Sequence, residues 1–228
     1  MQTLGIFLIL GYYLAMQVFL GTYVVKALQW MKIKPANAAA YDKITPKTFI
    51  LAALDIIFSR RLLIVNEVLW IGEWVFHVSF ALVMLRHLRY FLDPVPEWVW
   101  FVQPLGIIAG YVLPAALGYI AVMKLCIEKK QYVSSYNFFL LALIFVMSVT
   151  GLLMKNVYHP DIIAIKEFII GAVTFRFLSA PESPLFIFHF IMVLILVVKL
   201  PTHVFTAPLT IMEARQRNET VKELVHGK

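Results

Sequence analysis

A chain of 228 residues that is 61% hydrophobic, 14% charged and of mean hydropathy +0.83 is not an ordinary soluble domain, since such domains run nearer half apolar and a quarter charged. Its apolar runs approach the roughly 20 residues of a transmembrane helix and exceed the roughly 10-residue alternating strands of a β-barrel. The net charge of +7 reads as a positive-inside bias and not as a nucleic-acid footprint, and the single Cys126 excludes an internal disulfide, a CxxC metal site and a cysteine-ligated iron–sulfur cluster.

The expected fold is all-α: an integral membrane bundle of five transmembrane helices, with the N-terminus outside and the C-terminus cytoplasmic. Residues 3–25 form the first span. No Lys or Arg precedes it, so it lacks the basic start of a signal peptide and is expected as a retained helix. Residues 26–61 carry Lys26, Lys32, Lys34, Lys43, Lys47, Arg60 and Arg61 against Asp42 and Asp55, an excess that marks a cytoplasmic loop. Within it, TFILAALDIIFSRR at 48–61 is too short to cross and reads as an interfacial helix or a docking surface for a cytoplasmic partner.

Residues 62–92 form the second span, running outward to the turn Asp93-Pro94-Val95-Pro96, because proline cannot continue the helix. Residues 98–123 form the third, interrupted by Pro104 and Pro114, and residues 137–154 the fourth. The piece 162–178 is apolar but carries Lys166, Glu167 and Arg176 after Asp161. Charges at span depth cost about 2.5–3.5 kcal/mol each on insertion scales, so it is expected as an outer-surface amphipathic helix, with a sixth crossing as the alternative. Residues 184–205 form the last span, which makes 1–205 the membrane domain and 206–228 a cytoplasmic tail. The three inside segments hold 14 of the 20 Lys and Arg.

Histidine is costly in hydrocarbon, and intramembrane ionisable residues are candidates for function. Of six histidines, His159 and His226 fall in polar segments; His77 and His87 lie in the second span, His189 and His203 in the fifth. Ten residues separate the first pair, about 15 Å along a helix, and fourteen the second, about 21 Å. Each helix therefore offers one imidazole towards each side of the membrane. Neutral imidazole is a common axial ligand of haem iron, and two helices with two ligands each match two six-coordinate haems. In a five-span topology the helices run antiparallel. His77 then faces His203 on the inner side and His87 faces His189 on the outer side; a sixth crossing would exchange the partners. The alternative for the set is that the histidines hydrogen-bond helices together. Arg86 and Arg89 suit haem propionates or anchor the helix end at the interface. Glu73, one turn before His77, belongs to a proton path, orients a neighbour or marks the inner interface.

FHVSFALVMLRH at 76–87, with Pro94 seven residues beyond His87, HVFTAP at 203–208 and His189 on the same last helix together resemble the gamma-subunit family of respiratory nitrate reductase, a membrane diheme cytochrome b. The likeness covers nearly the whole chain. It implies that His77, His87, His189 and His203 hold two b-type haems and that electrons pass between a quinone, menaquinone or ubiquinone, at the outer haem and a cytoplasmic iron–sulfur subunit at the inner one. The terminal reaction would belong to a partner chain, with further membrane or extracytoplasmic redox subunits and the cytoplasmic membrane of a prokaryote as the setting. The interval between His189 and His203 is shorter than in the nitrate reductase subunit, and its quinol-site lysine has no clear match. The expectation therefore moves to the wider group of sulfite-reductase-associated, heterodisulfide-reductase-like and multihaem-cytochrome complexes of anaerobic respiration. Asp93, Gln103, Lys155 and Lys166 are candidate quinone-side polar residues. The alternative function is a non-haem structural membrane anchor subunit. A small transporter, usually marked by internal repeats, is disfavoured because none is visible.

Overall fold

A computed structural model of the chain describes residues 1–32, 50–51, 54–55, 57–126 and 135–201. Five helices are long and apolar enough to cross a membrane: Gln2–Gln29, Glu67–Tyr90, Glu97–Cys126, Ser135–Tyr158 and Pro184–Pro201. No strand occurs among the described residues. The elements are α1 (Gln2–Lys32), α2 (Arg60–Val65), α3 (Glu67–His87), α4 (Glu97–Cys126), α5 (Ser135–Leu153), α6 (Ile162–Val173) and α7 (Pro184–Pro201). Large apolar side chains stand out from the surface, among them Phe101 at 81% exposure and Phe7 at 67%. Such a surface suits lipid or partner helices, not water.

The chain divides into two compact units, Met1–Ala15 with Val68–Leu196 and Met16–Glu67 with Val197–Lys228. In the second, the described residues of 50–58 are helical, Ser59 turns the chain at φ 46, and α2 follows. The rest of the expected cytoplasmic loop, the inner loop 127–134 and everything from 202 onward, including His203 and the 206–228 tail, lie outside the described residues.

Several boundaries differ from the hydropathy reading. The first helix continues past residue 25 to Lys32. The second span does not begin at 62: Asn66 adopts φ −154, ψ 88 and separates α2 from α3. Hydropathy is blind to that break because the apolar composition runs through it. At its other end α3 tightens into a 3₁₀ turn, Leu88–Tyr90, before the prolines. Pro104 and Pro114 both lie inside α4; each removes an N–H from the helical ladder without ending the helix.

α6 does not cross. Its 12 residues reach about 18 Å, well short of the roughly 30 Å hydrocarbon layer. Asp161 starts it by accepting from the N–H groups of Ile163 (2.9 Å) and Ala164 (3.2 Å), an N-cap worth typically about 1 kcal/mol. Phe175 at φ 59 follows its end. Its apolar face is no bare surface: Ile165, Phe168, Ile169 and Ala172 pack with Leu8 and Ile9 of α1 and Phe186 and Phe190 of α7. Phe168 is fully buried and meets the Phe186 and Phe190 rings edge-on at 6.1 and 5.7 Å. Tyr13 of α1 donates to the Ala172 carbonyl at 2.8 Å. A second core joins Leu140 and Leu143 of α5 to Leu196 of α7, with Phe80 of α3 and Met147 against it. These two cores hold α3, α5 and α7 together, the helices that carry the site.

Candidate functional site

His87 lies in the last turn of α3, His77 in its middle and His189 in the second turn of α7. His77 Nδ1 is 2.6 Å from the Glu73 carbonyl, and His87 Nδ1 is 2.6 Å from the Val83 carbonyl. A carbonyl oxygen only accepts, so each Nδ1 carries the proton and each Nε2 keeps its lone pair. His189 is held by another route. Thr150 of α5 donates its hydroxyl proton to the Met147 carbonyl at 2.9 Å, and His189 Nδ1 lies 2.8 Å from the same hydroxyl oxygen. With that proton on the Met147 carbonyl, His189 Nδ1–H donates to Thr150 and Nε2 is the free nitrogen; with it turned to His189, the tautomer is the reverse. A Cβ at Gly151 would stand 3.7 Å from His189 Cε1; the glycine leaves the ring room against α5.

His87 and His189 come within electrostatic reach of each other. His77 is exposed and sits edge-on to Phe76 at 4.7 Å. Its expected partner, His203, lies outside the described residues. Between His77 and the end of α4, Glu73 pairs with Lys124 at 3.3 Å, both about one-fifth exposed, so the Glu73 carboxylate is engaged by a cation while its carbonyl orients His77.

Beside His87, Arg86 Nε donates to Gln103 Oε1 of α4 at 3.1 Å, and Arg89 Nη1 donates to the same oxygen at 3.5 Å. Arg89 also donates to the Tyr90 hydroxyl, and the Tyr90 ring centroid is 6.0 Å from that of His87. The α3–α4 approach depends on Gly106, where a Cβ would fall 2.7 Å from Arg86 Cβ and 3.1 Å from the Leu82 carbonyl oxygen. Neither arginine forms an ion pair among the described residues. Gln103 is 9% exposed, and its Nε2, like Arg89 Nε, is buried without a hydrogen-bond partner. Two guanidiniums and an amide thus converge on one locus with donors left over, and buried donors call for acceptors.

The four quinone-side candidates separate. Asp93 and Lys166 pair with each other at 3.0 Å, and Gln103 belongs with the arginines. Lys155 sits 4.8 Å over the Tyr111 ring. Three contributors escaped the sequence reading: Thr150, Tyr111 and Asn156. Only the Ser-x-Thr-Gly interruption at 148–151 hinted at the first. Among the described residues no three His, Cys, Asp or Glu side chains gather as a metal cluster; an axial haem site needs only two opposed histidines.

No family model matches the chain, and no solved structure matches it. Two curated relatives are similar to it, both named "Hdr-like menaquinol oxidoreductase cytochrome b-like subunit". The one from Archaeoglobus fulgidus is 29% identical over 138 residues, 54% of this chain and 42% of the relative. The one from Archaeoglobus profundus is 31% identical over 153 residues, 58% of this chain and 44% of the relative. The matched stretch spans less than half the length of these relatives. Both names fall in the heterodisulfide-reductase-like branch of the resemblance drawn from the motifs.

Proposed function

We propose that the chain is a membrane cytochrome b subunit of a quinone-linked oxidoreductase. It carries electrons between the quinone pool, menaquinol by the relatives' names, and a cytoplasmic iron–sulfur partner. The observation that carries this reading is the common anchoring of three imidazoles through Nδ1. His77 and His87 each give Nδ1–H to a backbone carbonyl and keep Nε2 free, and His189 Nδ1 is held by the Thr150 hydroxyl, the arrangement expected of an axial ligand with an outer-sphere partner. His87 and His189 hold the outer b-type haem; His77 and His203 hold the inner one. A bound haem supplies one-electron chemistry that no side chain here provides.

The residues present fit that group. Arg86 and Arg89 offer donors to propionates and form no ion pair among the described residues, and Gln103 accepts from both guanidiniums. Gly110 and Gly118 on α4 have open space where a Cβ would stand, as a flat macrocycle against a helix needs. The N-terminus lies outside and the tail inside the cytoplasmic membrane of a prokaryote. Any reaction on a dissolved substrate belongs to partner chains.

Spectroscopy of the assembled membrane complex tests the ligand assignment. His87→Ala and His189→Ala should each remove the same one of two haem b redox transitions and leave the other. Unchanged spectra in both variants would return the histidines to holding helices together.

A further inference from the structure

The last turn of the Ser135–Tyr158 span holds a cation that no carboxylate of the described residues neutralises. Lys155 is half-buried, and the ion pairs among those residues are Glu73–Lys124 and Asp93–Lys166. Its ammonium stands 4.8 Å from the centroid of the Tyr111 ring on α4. A ring face attracts a cation but offers its N–H groups no lone pair. Lys155 belongs to Met154–Tyr158, where α5 widens into a π-turn. Such turns are rare and gather at functional sites.

The next residue supplies a second donor. Tyr111 gives its hydroxyl proton to Asn156 Oδ1 at 2.8 Å, which leaves the Asn156 amide N–H groups. With the amide turned the other way, an N–H donates to the tyrosine and the phenolic proton is left instead. Either arrangement sets a neutral donor on the same tyrosine as the ammonium. Asn156, Val157 and Tyr158 are all exposed, Tyr158 at 65%, so the donors face the surroundings of the chain and not its core. An ammonium with a neutral donor next to it on an open surface suits an anion with several acceptor oxygens.

Position names the anion. A 24-residue span is about 36 Å long, and a hydrocarbon layer of roughly 30 Å leaves about 3 Å over at each end. The last turn of α5 therefore straddles the boundary between acyl chains and head groups. The chain beyond it agrees. The exposed Tyr158 suits that level; His159, Pro160 and Asp161 follow, and α6 then carries the Lys166–Asp93 pair. Phospholipid phosphates lie at this boundary, with their acyl chains beneath. Tyr111 is rooted near the middle of the 30-residue α4, so its ring body meets the acyl region while its hydroxyl reaches the boundary. A quinone ring lies deeper, and its neutral carbonyls would leave the ammonium without a counter-charge.

We propose that Lys155, Asn156 and Tyr111 form a binding site for the phosphate of an anionic phospholipid. Its oxygens accept from the Lys155 ammonium and the neutral donor beside it, and its acyl chains lie along the span. The site needs only the membrane-spanning fold and is independent of the haem and quinone assignments. The test measures phosphatidylglycerol bound to the full chain in detergent, by native mass spectrometry across a lipid titration. Lys155→Met should weaken the tightest-bound lipid about tenfold, the scale of a charge-assisted hydrogen bond. Asn156→Asp, which keeps the tyrosine's acceptor but sets a carboxylate beside the ammonium, should weaken it at least as much. Lys155→Arg and Arg176→Gln should retain it. If Lys155→Met does not fold by circular dichroism, Asn156→Asp decides. Wild-type affinity in Asn156→Asp would overturn the site. So would an equal loss in Arg176→Gln, which changes the net charge by the same amount and would reveal diffuse attraction only. Displacement of the lipid by inorganic phosphate would make the ligand a free phosphate, and displacement by a menaquinone analogue would make it a quinone; either contradicts the lipid.

Discussion

Thr150 shows how much of the site is decided by a single proton. Its hydroxyl reaches both the Met147 carbonyl and His189 Nδ1, so where its one proton points decides which imidazole nitrogen is left free. Outer-sphere partners of metal-bound histidine typically contribute 10–100-fold in metal affinity. Thr150→Val should therefore lower occupancy of the outer haem on that scale in a haem-loss competition assay, while Thr150→Ser, which keeps the hydroxyl, should retain it. Equal loss in both variants would mean that the methyl packing matters and not the hydrogen bond. The histidines themselves were legible from the sequence because an imidazole in an apolar run is conspicuous. Thr150 was not: Thr is unremarkable in a span, and its role depends on α7 lying beside α5. Tyr111 and Asn156 escaped for the same reason, being 45 residues apart in the chain. Arg86 and Arg89 were legible as candidates, but Gln103 as their shared acceptor emerges only from the α3–α4 approach at Gly106.

At the scale of elements, α6 is the informative case. Its charges argued against a crossing, and they are disposed accordingly: Lys166 pairs with Asp93, a partly exposed contact worth about 0–1 kcal/mol. The fully buried Phe168, at the centre of the α1–α6–α7 core, does the anchoring. A 12-residue helix in that position returns the chain to the side it left. Single cysteines placed at Tyr158 and Arg176, in a Cys126→Ser background, should both react with a membrane-impermeant maleimide applied from the same side. Reaction from opposite sides would mean a sixth crossing and would exchange the haem partners. Apolar run length located the five long helices because lipid imposes it. It missed the break at Asn66, since a change of backbone direction needs no change of composition, and it ended α1 early, because a lysine ends an apolar run without ending a helix.

At the scale of the whole molecule, the account is a two-level one. Under the proposal, His87 and His189 form one level and His77 with His203 the other, and the arginine–glutamine locus stands beside His87. The 10-residue and 14-residue histidine intervals differ by about 6 Å along the axis, a mismatch the two pairs must share. The fold was legible at this scale because five apolar runs and a positive-inside count leave few topologies. The inner level rests on the HVFTAP motif alone. The most direct test of the two-level account is the pyridine haemochrome content of the purified complex. The account predicts two haem b per copy of this chain once haem carried by partner subunits is subtracted. A value of one would break one of the pairs, and a value of zero would contradict the cytochrome altogether.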